Sequence, residues 1–246
     1  MSIDGEGDLQ GLQAIGAIVA ATLRAMKAAV RPGITTAELD AVAAREFARH
    51  GAVSSPRRVY DFPGETCISV NDEVVHGVPG GRALQPGDIV KMDVTAEKDG
   101  YVADACVSVA VAEVDEQSRR LIACAERAFR KAMKVARAGN RVNDIGRAVE
   151  NEVLRCSFSV VRELCGHGVG RTIHEDPQVP NYYDPMAQRR LTKGMVITVE
   201  PIIVAGRGVV STADDGWTVR TLDGSRAAHH EHTLVITDAA PILLTA

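Results

Sequence analysis

A chain of 246 residues, 46% hydrophobic and 24% charged, has the balance of an ordinary folded protein, which excludes a disordered tail, a collagen or a disulfide-stapled miniature. Its formal net charge of -4, from 28 basic and 32 acidic residues, and the lack of any basic run beyond Arg57-Arg58 or Arg189-Arg190 argue against a nucleic-acid or anionic-membrane partner. Unbroken apolar runs such as Ala17 to Ala21 fall short of the ~18 residues of a membrane span, and the opening MSIDGEGD is acidic where a secretory signal is basic, so a cytoplasmic protein is expected.

Leu9, Leu12, Ile15, Val19, Leu23, Met26 and Val30 recur at steps of three and four, the stripe of a helix packed on one side, ended by Pro32-Gly33. Thr35 with Glu38 forms a capping box, and Leu39, Val42, Ala43 and Phe47 continue a second helix to Gly51. Short β-type runs follow: Cys67 to Val70, Ile89 to Ala96 and Tyr101 to Val111, the last two joined at Asp99-Gly100, a two-residue hairpin signal. The second half repeats this order, with a helical pattern from about Ser118 to Ala138, a break at Gly139, a second helix from about Asn143 to Cys156, and then strands. Leu84 to Asp93 aligns with Leu191 to Glu200, which sets an Asp of the first half on a Glu of the second. Pro32 to Leu39 resembles Ala138 to Ile145 at nearly the same shift. No linker separates the halves, so residues 1–246 are expected to form a single α+β catalytic domain with halves of about 9–115 and 116–246 and a site on their seam.

If Asp99-Gly100 is a tight turn, residue 93 faces 106, and Asp93 and Asp104 become diagonal neighbours on one face. Two close carboxylates on a face flanked by valines repel each other unless a proton or a cation neutralises them; taken alone, one or both of the pair are expected to point into solvent, and further ligands are needed to overturn that. Glu200 ends the strand Met195 to Glu200, Glu231 opens another β-rich run, and His167 sits between glycines in CGHGVG, where backbone can approach closely. Spacing does not select these five side chains from the acidic residues. As a set, they form an oxygen-rich cage with one nitrogen, suited to octahedral-type divalent ions such as Mn²⁺, Fe²⁺ or Co²⁺ more than to structural zinc.

The strings CISVNDEVVHGVP (Cys67 to Pro79), GDIVKMDVTAEKDGYVADACVSV (Gly87 to Val109), CGHGVGRTIHEDPQVPNY (Cys165 to Tyr182), GMVITVEPII (Gly194 to Ile203) and DGWTVRTLDGSRAAHHEHTLVIT (Asp215 to Thr237) resemble the type I methionine aminopeptidases. That likeness runs from about Leu9 to Thr237. It implies the pita-bread fold of two pseudo-symmetric helix-helix-sheet halves around a pair of divalent ions (Mn, Fe, Co or Zn) held by Asp93, Asp104, His167, Glu200 and Glu231. It also implies hydrolysis of the first peptide bond by a metal-held hydroxide, with Glu200 as general base. His76 would contact the leaving peptide and His174 the scissile carbonyl. Phe62, Cys67 and Trp217, with Ile173 at the rim, would line an apolar slot for an unbranched thioether.

The implied substrates are N-terminal Met peptides and nascent polypeptides with a small second residue. A ribosome-associated monomer is expected, and the absence of an amino-terminal extension or a helical insertion suggests a bacterial source. The five cysteines, Cys67, Cys106, Cys124, Cys156 and Cys165, have no CxxC spacing and read as reduced thiols; Cys67 and Cys165 lack an activating partner for nucleophilic work.

The sequence departs from the family pattern in two places. Val59-Tyr60-Asp61 stands where an aromatic and His-Gly usually precede Phe-Pro, and His229-His230 stands where Gln and an aromatic usually precede the last Glu ligand. On a strand His230 and His232 point away from Glu231, while His229 shares its face; a polar residue behind the ligands, or one facing solvent, is the expectation for His229. Two other readings accompany the resemblance: an aminopeptidase with a different N-terminal preference, and a non-catalytic peptide-binding module of the same fold. The second is usually marked by lost ligands, and none of the five is lost.

Overall fold

The computed structural model describes residues 1–246. The first half contains α1 (Glu6–Ala29), α2 (Thr36–His50), β1 (Val53–Ser54), α3 (Ser55–Tyr60), β2 (Cys67–Val70), β3 (Glu73–Val75), β4 (Ile89–Lys98) and β5 (Tyr101–Ala110). The second contains α4 (Glu116–Met133), α5 (Val142–Arg155), β6 (Ser159–Val160), β7 (Cys165–Gly168), β8 (Glu175–Pro180), β9 (Val196–Val199), β10 (Ile202–Val204) and β11 (Val210–Thr212). It ends with β12 (Val219–Thr221), β13 (Ala227–His229), β14 (Glu231–Val235) and β15 (Ile242–Leu243).

Local chemistry accounts for most of these boundaries. Thr35 and Glu38 form the capping box of α2, and Gly51 closes it in the left-handed region at φ 65. Asp99 and Gly100 both take positive φ, 52 and 77, as a tight hairpin turn requires, and β4 pairs β5 from Ile89 opposite Ala110 to Lys98 opposite Tyr101. Helix α4 ends at Met133, earlier than its apolar periodicity suggests. The chain past it is drawn to partners distant in sequence: Ala138 N–H donates to the Thr237 carbonyl and Gly139 N–H to that of Leu191.

Nine strands make the main sheet in the order β1-β4-β5-β14-β9-β7-β8, with β2 also on β4 and β15 on β14. The β5–β14 pairing joins the halves. Helices α1 and α2 cover one side of β4 and β5, where Val90, Met92, Val94, Ala96, Ala103 and Ala105 are buried with Ile15, Val19, Leu39 and Phe47. Helices α4 and α5 cover the same side of the second half, over Ile197, Val199, Leu234 and Ile236. Although α1 has the length and mean hydropathy of a membrane span, half of its most apolar window is buried in the protein. With both helix pairs on one side, the alternate residues of the main-sheet strands face the other, and two three-stranded sheets, β13-β10-β6 and β11-β12-β3, complete the fold.

Candidate metal centre

Cross-strand register builds the site. Cys67 lies opposite Asp93, Asp93 opposite Cys106, and Cys106 opposite Glu231, so one row crosses β2, β4, β5 and β14. Directly opposed residues of antiparallel strands share a face. The adjacent row runs from Thr95 to Asp104, to Thr233, whose Oγ1 accepts from Asp104 N–H at 2.9 Å, and to Thr198. It ends at His167, whose N–H donates to Thr198 Oγ1 at 3.0 Å. Glu200, two residues beyond Thr198, returns to the first row where the chain leaves β9. All five expected ligands therefore meet on the face away from the helices.

A ring of hydroxyls fixes the carboxylates. Thr95 donates to Asp104 Oδ1 at 2.8 Å and Thr198 to Glu200 Oε1 at 2.8 Å. His167 Nδ1–H donates to the Gly168 carbonyl at 2.9 Å, which leaves the Nε2 lone pair facing the site; Nε2 lies 3.5 Å from Glu200 Oε1 and 3.8 Å from Asp104 Oδ2. A Cβ on Gly166 would stand 2.7 Å from the Thr198 carbonyl oxygen, so only glycine permits this approach of β7 to β9. The threonines were not singled out in the sequence, although each lies at a period-two position from a ligand.

Asp104, Glu200 and Glu231 are buried and Asp93 nearly so, and no lysine or arginine lies within ion-pair reach of them; their only such neighbours are histidines. Burial pushes the Asp104 carboxyl up to about 6, and burial with the Asp104 charge pushes Glu200 up to about 8. Burial and the neighbouring carboxylates also raise Asp93 and Glu231. Burial lowers His167 to about 4 and His229 to about 3, so both imidazoles are neutral and can act as donors to a metal. A divalent cation among these groups would reverse the carboxyl shifts. The donor set fits such ions: ligand atoms of Asp104, His167 and Glu231 lie within 4.8 Å of one another, as do those of Asp93, His229 and Glu231, and Glu231 Oε1 is buried with no hydrogen-bond partner.

The ligands form the floor of a cavity of about 320 Å³ whose walls include Tyr60, Phe62, Cys67, His76, Ile173, His174 and Trp217. Phe62 and Trp217 meet edge to face with centroids 5.2 Å apart, an apolar slot of the sequence-expected residues. Asp40 holds the loop before Cys67 by accepting from Glu65 N–H, Thr66 N–H and the Thr66 hydroxyl. His76 takes φ 57 at the wall. His174 packs against His167 with centroids 4.4 Å apart, and its Nδ1 is hydrogen-bonded to the Tyr60 hydroxyl at 2.7 Å. Burial and nearby carboxylates raise the Cys67 thiol well above its ordinary value, so it serves as an uncharged wall. His230 and His232 point away from the site and stack with Phe129. His229 does not face solvent; it is buried against Glu231 and Glu200.

Residues 10–238 match metallopeptidase family M24. The chain is 44% identical over its whole length to methionine aminopeptidase 2 of Bacillus subtilis, covering 99% of that protein. Among solved structures, the methionine aminopeptidase of Thermotoga maritima superposes with a TM-score of 0.96 at 36% identity over 100% of this chain and 99% of its own. The prolidase of Pyrococcus furiosus matches 99% of this chain and 65% of its own with a TM-score of 0.80 at 20% identity, a likeness of fold alone.

Proposed function

The chain belongs to metallopeptidase family M24, as a metal-dependent aminopeptidase that removes the initiator methionine, and from that premise we propose how its own side chains carry out the reaction. Asp93, Asp104, His167, Glu200 and Glu231 would hold the divalent ions, whose Lewis acidity would lower the pKa of a water and polarise the scissile carbonyl. Glu200 moves the proton: its carboxyl is buried in the ligand cluster with one oxygen tied to Thr198, a carboxylate held beside the water whose proton it would take and then release.

The substrate is oriented by the wall opposite. Phe62, Cys67 and Trp217 bind the methionine side chain, which an unbranched polarisable thioether fills well. His174 presents Nε2 to the developing oxyanion, since Nδ1 is engaged by Tyr60, and His76 contacts the departing peptide. The observation that carries this reading is the convergence of the five ligands, His76 and His174 in one cavity with an apolar slot beside it.

After chelation and reconstitution with Mn²⁺ or Co²⁺, the protein should cleave Met-Gly-Met-Met and leave Ala- and X-Pro-peptides intact. Replacing Glu200 by Gln should retain the ions and lower turnover by about 10²- to 10⁴-fold; wild-type turnover in Glu200→Gln would remove the base from Glu200. The departure from the family pattern at Val59-Tyr60-Asp61, beside a wall that includes Tyr60, favours a second reading, an altered N-terminal preference. Cleavage of non-Met peptides alone would establish it.

A further inference from the structure

His229 is buried to 2% exposure, and neither of its ring nitrogens has a hydrogen-bond partner. Its backbone is pinned at both ends by one side chain: His229 N–H donates to Ser108 Oγ at 2.8 Å, and the Ser108 hydroxyl donates back to the His229 carbonyl at 2.8 Å. The ring is thereby aimed into the carboxylate cluster, with Nε2 3.4 Å from Glu231 Oε2 and 3.8 Å from Glu200 Oε2. A structural histidine in a core satisfies at least one nitrogen; this one satisfies neither and directs Nε2 at a cluster of carboxylates.

The donor atoms fall into two similar triads. Asp104, His167 and Glu231 make one, Asp93, His229 and Glu231 the other, each with its ligand atoms within 4.8 Å and Glu231 shared. We propose that His229 is a sixth metal-ligating side chain, which closes with Asp93 and Glu231 around the second cation while Asp104, His167 and Glu231 grip the first. This rests on the dinuclear reading given above and adds to it one nitrogen donor, so that each ion has an imidazole. An imidazole at the second position shifts preference from Mn²⁺ or Mg²⁺ towards the borderline cations Fe²⁺, Co²⁺, Ni²⁺ and Zn²⁺.

The alternative role is a hydrogen-bond donor that merely orients Glu231. Glutamine separates the two, because it can donate an N–H in place of the imidazole but lacks its nitrogen ligand. X-ray absorption on the intact protein loaded with two equivalents of Co²⁺ counts imidazoles directly and requires no variant: two imidazoles shared by two ions are expected, against one if only His167 binds. In competition titrations of the chelator-treated protein, His229→Gln should weaken the second Co²⁺ by at least about 10-fold and leave the first unchanged, with far-UV circular dichroism confirming the fold.

One imidazole for two ions in the wild type, or an unchanged second affinity in a folded His229→Gln, overturns the proposal and leaves the peptidase reading standing. Cobalt binding that is also indifferent to His167→Asn, in a protein that cleaves no Met peptide, overturns both.

Discussion

Tyr60 acts through another residue. Its hydroxyl meets His174 Nδ1 at 2.7 Å; if that hydroxyl donates, the imidazole proton lies on Nε2, on the side that would face a substrate carbonyl, and the tautomer is set by one bond. In Tyr60→Phe the ring still packs beside His174 but the bond is lost. A hydrogen bond of this kind contributes about 0.5–1.5 kcal/mol, so kcat on a Met tripeptide should fall about 2- to 10-fold while KM stays within about 2-fold, since the ring wall is retained. Steady-state kinetics decide it, and wild-type kcat in Tyr60→Phe would show that His174 needs no such positioning. The three site threonines work by the same logic, each hydroxyl fixing one carboxylate or backbone group. Their importance was invisible in sequence, because a buried threonine on a strand is by itself an ordinary β-former; only the register that sets Thr95 opposite Asp104 shows what it holds.

Helix α4 is tied to α5 by one buried carboxylate. Glu152 Oε1 accepts from Arg155 at 2.6 Å and from Arg127 of α4 at 3.0 Å, and these bonds, that of Arg155 foremost, lower its pKa from an ordinary 4.5 to about 2. Because the folded value is the depressed one, the stabilisation is full above the unfolded pKa and is lost as pH falls through the window from about 4.5 to about 2. Arg155 is largely exposed, so solvent screening discounts the full linkage value to about 2 kcal/mol. Glu152→Gln should therefore lower the melting temperature at pH 7 by roughly 4–8 °C, with the gap to wild type closing as pH drops into that window. A gap that persists or widens on acidification would rule out the carboxylate as its source. Elements of this type were mostly legible: the stripe of α1, the capping box of α2 and the Asp99-Gly100 turn are local signals, each written within a few residues. The early end of α4 was not, because Ala138 and Gly139 leave the helix for carbonyls of Thr237 and Leu191, partners that no local window contains.

Across the whole molecule, the site exists only because β5 pairs with β14. That contact continues the row from Asp93 through Cys106 to Glu231, and so brings two carboxylates of the first half against the two carboxylates and the imidazole of the second. The internal repeat made a shared seam legible, with Asp93 matched to Glu200. Which acidic residues converge on it was not legible from spacing, because convergence is a property of register between strands far apart in sequence; resemblance supplied the set. Folding places these buried carboxylates together against their mutual repulsion, so cations that bind only the assembled site should tie the halves together and raise stability by mass action. At a free metal concentration about 100-fold above the dissociation constant this amounts to about 2.7 kcal/mol, or roughly 5–11 °C for a chain of this size. Melting followed by circular dichroism, on chelator-treated protein titrated with Co²⁺ or Mn²⁺, should show a midpoint that climbs with the logarithm of metal concentration. The rise should collapse in the double variant Asp104→Asn, Glu231→Gln, which removes one ligand from each half. If the midpoint ignores the metal, or climbs equally in that double variant, the cations are bound elsewhere and the seam is held by packing alone.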